Sequence, residues 1–128
     1  VPAQTTARTG PKHLREFAME KGCTVYEGWV YGIGEWSFSK VNKLLNNTFE
    51  TVSYQHMDGS GAVYISGAAP MFEDDEENRS SVFDLLADVV DEDGKGIIIG
   101  KDWSPHGTLS LTAYDFTHKD WSSRTIDV

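Results

Sequence analysis

The 21 residues from Glu73 to Asp93 hold ten carboxylates and a single base, Arg79, so any fold open to this chain must keep that stretch in water. Ionised carboxylates without partners are among the costliest groups to bury. Within the same stretch, Val82, Leu85, Leu86 and Val89 recur at the i, i+3, i+4, i+7 spacing of an amphipathic helix. Ser81 and Asp84 stand where a capping box would start it, which predicts a helix over Val82–Val90 with that apolar stripe inward. Asp84, Asp88 and Asp91 then fall on the opposite side, where like charges a turn apart oppose helix formation by about 0.2–0.5 kcal/mol per pair.

The acidity is also lopsided. Residues 1–68 balance six acids with six bases, whereas 69–128 set fourteen acids against five, so the net charge of −9 arises entirely in the second half. A field of that sign repels phosphates and anionic lipid and attracts basic surfaces. No basic stripe is present to meet a nucleic-acid backbone, so direct nucleic-acid binding is not expected.

At 128 residues the chain has the size of one domain, and burial of roughly two-thirds of its unfolded surface is expected at that length. Four Trp, five Tyr and six Phe supply enough bulk for a packed core. Cys23 is alone, so an internal disulfide cannot share the task. No apolar run reaches the 18 or so residues of a membrane span, and a soluble protein is expected. The first residue is Val, the opening stretch is small and hydroxyl-rich, and Asn46-Asn47-Thr48 and Asn78-Arg79-Ser80 are glycosylation sequons. These features lean towards a processed, secreted protein, with a cytoplasmic one as the alternative.

Patterning predicts a flexible tail over residues 1–10 and one α+β domain over 11–128. Pro11–Lys21 reads as a first helix. Thr24–Trp36, rich in β-branched and aromatic residues but broken by Gly28, Gly32 and Gly34, reads as a strand that bends or splits. A short helix is predicted over Phe38–Leu45, capped by Ser37 or Ser39 and ended by Asn46-Asn47. Thr48–Met57 and Gly61–Ser66 flank Asp58-Gly59-Ser60 as a hairpin, and Gly67–Asn78 reads as a polar loop. After the acidic helix come strands over Gly96–Ile99 and Thr108–Phe116. The sum is an α+β architecture of about three helices on a largely antiparallel sheet of about five strands.

Few residues gather into a chemical motif. Asp91, Asp93 and Gly94 resemble the start of a calcium loop, but Lys95 stands where an oxygen ligand belongs and no Glu closes it. His13, His56, His106 and His118 lack partners at metal-ligand spacing, and no cofactor is expected. His106 with Asp102 or Asp115, and His56 across the sheet, is the one grouping suited to acid–base work. Cys23 follows a helix C-terminus in this reading, which does not favour a thiolate. Along Tyr26–Tyr31 only one side of a strand can face the core. If Tyr26, Gly28 and Val30 do so, Trp29 and Tyr31 point the other way, where a covering helix is expected in so small a domain. Lys101-Asp102-Trp103-Ser104 recurs as Lys119-Asp120-Trp121-Ser122, too short a match for a repeat.

The sequence alone therefore favours a non-catalytic interaction protein, of a secreted effector or toxin-like kind, that docks on a basic protein surface. The partner-binding residues expected are Glu73, Asp74, Asp75, Glu76, Glu77, Asp84, Asp88 and Asp91. An intracellular inhibitor or immunity protein that mimics nucleic acid is one alternative, and a small hydrolase using His106 is another.

Overall fold

The computed structural model describes residues 23–57, 59–72, 75–104 and 106–127. The expected tail and first helix, Asp58, Glu73, Asp74 and the side chain of Cys23 lie outside the described part. Alternating β-branched and aromatic residues form β1 over Cys23–Tyr31. It is one unbroken strand that stops at Tyr31 rather than reaching Trp36, because Gly32 takes a φ of 85° that leaves the extended region. A side chain there would collide with the backbone of Gly94. Gly28 causes no break and serves close approach instead, since a Cβ at that position would overlap the carbonyl oxygen of Ile97 on the neighbouring strand.

Helix α1 spans Glu35–Thr48, longer at both ends than the sequence predicts. Gly34 occupies the N-cap and no side chain caps the helix, while Ser39 lies inside it with its hydroxyl donating to the carbonyl of Trp36. Asn46 does not end the helix either. Its amide donates back to the Asn42 carbonyl at 2.9 Å, and Thr48 Oγ1 donates to the Leu44 carbonyl at 2.7 Å, so these polar groups are satisfied within the helix.

The hairpin forms as expected, with β2 over Thr51–Met57 and β3 over Ser60–Ala68. The stretch read as a loop contains a 3-10 turn at Pro70–Phe72, and then helix α2 covers Glu76–Asp88. Its cap is Asp75, whose carboxylate accepts the Asn78 N–H at 2.9 Å, so the helix starts well before Ser81. The inward stripe is turned as well: Val82, Phe83, Leu86 and Ala87 are buried while Leu85 is 51% exposed. Phe83 decides this rotation. Its ring is fully buried and meets Tyr26, Phe72, Tyr114, Phe116 and Trp121, more apolar contact than Leu85 could supply from the same position.

Strands β4 (Lys95–Trp103), β5 (Leu109–Thr117) and β6 (Asp120–Ile126) complete the chain. The last was not expected, since an edge strand reading Asp-Trp-Ser-Ser-Arg-Thr-Ile buries little apolar surface. It also accounts for the repeated tetrapeptide, one copy of which closes β4 while the other opens β6. All six strands pair antiparallel in the order β2-β3-β1-β4-β5-β6. The class is α+β, with six strands and two α-helices among the described residues. Both helices pack on one face, where Val41 and Leu45 of α1 and Phe83 and Leu86 of α2 close over Tyr26, Val30, Val63, Ile65, Ile98, Tyr114 and Phe116.

Candidate functional site

Two surfaces stand out on this frame, on opposite sides of it. The first is the outer side of α2. Glu77, Ser81, Asp84, Leu85 and Asp88 are all exposed there, at spacings that place them along one side of the helix. The acidic run divides into two parts with different physical reasons. Asp75 is the cap, and Glu76 and Glu77 occupy the first turn, where the helix dipole favours negative charge. Asp84 and Asp88 gain nothing from the dipole, and among the described residues no cation lies within 4 Å of either; the carboxylate that Arg79 reaches is that of Glu76, at 3.7 Å. Asp84 does accept a hydrogen bond from the indole of Trp121 at 2.7 Å. Asp91 lies beyond the helix, its N–H donating to the Gly32 carbonyl and its carboxylate 3.5 Å from the Ser60 hydroxyl. Glu73 and Asp74 fall outside the described residues. The structure thus aligns Glu77, Asp84 and Asp88 on one exposed side, assigns Asp75 and Glu76 to the helix start, and sets Asp91 apart.

The second surface is the sheet face turned away from the helices. Register places Trp29 opposite both Tyr64 and Ile97, with Glu27 opposite Ile99 and Tyr31 opposite Lys95. Trp29 stacks on Tyr31 with ring centroids 5.9 Å apart and leans on Tyr64 at 5.0 Å. Tyr31 is 45% exposed and Ile97 44%. The expected helical cover is not formed by α1 or α2, which lie on the other face. A groove of about 740 Å3 runs over these residues, edged by Lys95, Asp115 and Thr117. Four of the charges on it are paired in place, Lys101 Nζ donating to Glu27 Oε1 at 3.4 Å and Arg124 Nε to Asp115 Oδ2 at 2.8 Å, while the exposed Lys95 has no ion pair among the described residues.

The acid–base grouping suggested by the sequence is not assembled. His106 is an exposed turn residue. Asp102 accepts from Thr24 on the helix side of the sheet, whereas Asp115 pairs with Arg124 on the open side. His56 lies against Glu35 on β2, three strands from β4. Among the described residues no three His, Cys, Asp or Glu side chains gather where a metal ion could be held, and no helix is long and apolar enough to cross a membrane.

The fold and these surfaces define an α+β domain with a six-stranded antiparallel sheet whose described helices occupy one face. Comparison with family models, with curated proteins and with solved structures finds no match to the chain.

The aromatic face was partly legible, because the alternation of Trp29 and Tyr31 with Gly28 and Val30 assigned them to the side away from the core. Tyr64, Ile97 and Ile99 were missed. Their signal was available in the apolar run Ile97–Ile99, where a strand presents alternate residues to opposite faces.

Proposed function

We propose that this protein is a non-catalytic interaction domain that docks a basic protein surface against the outer side of α2. The observation that carries the reading is Leu85, 51% exposed and set between Asp84 and Asp88, neither of which has a cation within the described structure. An apolar side chain ringed by carboxylates suits a partner that offers an apolar anchor among lysines and arginines. The sequence offers no stability reason for keeping Asp88 at a helix C-terminus, where the dipole opposes it. A secreted, effector-like or toxin-like setting is part of this proposal and rests on the sequons; Asn46 is exposed on α1.

Affinity capture on the immobilised full chain tests it. Bound protein should elute as salt rises through a few tenths molar, since surface charge contacts are screened over about 8 Å at 0.15 M ionic strength. It should be lost when Glu77→Gln, Asp84→Asn and Asp88→Asn are combined. Capture unaffected by the three substitutions overturns the reading. Displacement of the partner by DNA would identify it as a nucleic-acid-binding protein and select the inhibitor or immunity form of the same role. A mass measurement on protein from its natural source reports sugar at Asn46 or Asn78, and with it passage through a secretory route.

A further inference from the structure

We infer that the open sheet face is a homodimer interface, on which a second copy of this chain packs sheet to sheet. Three observations lead there, and none depends on the acidic surface of α2.

The first is size. Six strands of seven to nine residues, ~4.8 Å apart and rising ~3.3 Å per residue, present a face of roughly 24 by 28 Å, on the order of 700 Å2. A stable interface of ordinary size takes about 800 Å2 from each partner. Another sheet of the same dimensions covers this face completely, whereas a small ligand in the groove would leave Leu111 and Ile126 at its other end in water.

The second is charge. A chain of net −9 repels its own copies wherever carboxylates lead the approach. On the open face Glu27 and Asp115 are set against Lys95, Lys101 and Arg124, so this side carries none of the acidic excess. Glu27 with Lys101, and Asp115 with Arg124, are ion pairs within one copy and can enter an interface as neutral units.

The third is symmetry. A two-fold interface presents one patch to itself, so its apolar centre must lie on the axis. β1 and β4 are the two middle strands of the sheet, and Trp29 and Ile97 are direct cross-strand partners on them. Trp29, Tyr31, Tyr64 and Ile97 form the apolar patch through which that axis passes, on β1, β3 and β4 and towards the end of the face where β1 finishes, while the Glu27–Lys101 pair lies nearer the geometric middle.

Sedimentation equilibrium of the full chain from ~1 to ~100 µM tests the inference, a range that spans ordinary homodimer affinities. The expected result is a dimer whose dissociation constant rises at least about tenfold in Ile97→Glu, across from Asp115, and in Tyr31→Lys, across from Lys95, each placing a charge without an opposite partner in the desolvated apolar patch. Both residues are nearly half exposed, and circular dichroism at the dilute end should show both variants folded. Raising salt from ~0.1 to ~0.5 M should not weaken the dimer, since Glu27, Lys101, Asp115 and Arg124 are already paired within each copy and Lys95 is not needed to hold the copies together. Combining Asp84→Asn with Asp88→Asn should not weaken it either, which separates this inference from the docking role of α2. A monomer throughout the range overturns it and leaves the face to residues 1–22 or to a different protein. A dimer indifferent to both Ile97→Glu and Tyr31→Lys overturns it equally.

Discussion

Trp121 Nε1 donates a 2.7 Å hydrogen bond to Asp84 Oδ1, and this contact fastens the edge strand β6 to the middle of the acidic helix. The Trp121 ring also packs edge-on against Phe83, 5.3 Å away, so one side chain serves both the core and the surface. Asp84→Ala removes the acceptor and should lower stability by about 1 kcal/mol, whereas Asp84→Asn keeps an oxygen in place and should cost less than about 0.5 kcal/mol. Urea unfolding of the two variants measures the difference. The contrast matters for the docking test, because the Asn variant removes charge without loosening β6.

Tyr26 is 1% exposed at the centre of the aromatic cluster, and its pKa is pushed up to about 12. Burial is the main cause, opposed by a hydrogen bond with Arg79. The unfolded chain ionises this phenol near pH 10 while the folded one still holds the proton, so stability is intact below pH 10 and falls as pH rises towards 12. Burial raises Tyr114 in the same direction. Tyr26 alone should account for a loss of roughly 3 kcal/mol across that interval. Urea unfolding at several values between pH 9 and about pH 11.5, compared with Tyr26→Phe, should show a steeper alkaline decline in the parent chain.

Gly28 is a packing requirement, because a Cβ there would overlap the backbone of Ile97 and force β1 and β4 apart. Gly28→Ala should lower stability by at least about 3 kcal/mol, beyond the usual cost of overpacking, since backbone cannot yield as a side chain can. Thermal unfolding by calorimetry gives the comparison.

Gly34 differs. It is the N-cap of α1 with φ −71°, makes no side-chain cap and has open space around it. Gly34→Ser should gain a few tenths of a kcal/mol by supplying an acceptor for the first turn and restricting the unfolded chain. An unchanged or lower midpoint in the same calorimetric series would contradict that account.

The class of the fold and the hairpin at β2 and β3 were legible in the sequence because Asp58-Gly59 interrupts two runs of strand-forming residues. The acidic helix was legible as a helix but not in its rotation. Leu85 and Phe83 both fit an apolar stripe by spacing alone, and the choice between them was made by aromatic rings arriving from β1, β5 and β6. The helix starts also escaped detection: Asp75 was hidden within a run of five acids, and Gly34 caps α1 without a side-chain signal. Strand β6 is stabilised by pairing with β5 and by Trp121, so its own composition said little. The divided acidic surface followed from these shifts, since moving the start of α2 to Glu76 turned Asp75, Glu76 and Glu77 from a loop into a helix terminus.

Strand β1 sits in the middle of the sheet, yet its two neighbours come much later in the chain, as the contact between Thr24 and Asp102 across 78 positions shows. During synthesis it must therefore wait, both edges unpaired, until β3 and then β4 have left the ribosome. Closing such long loops slows folding, and the apolar rings of Tyr26 and Trp29 stay available to other nascent chains meanwhile. Production of this protein should accordingly be limited by aggregation of the incomplete chain, and slower translation at lower temperature or a chaperone that holds the emerging strand should raise the yield of folded product.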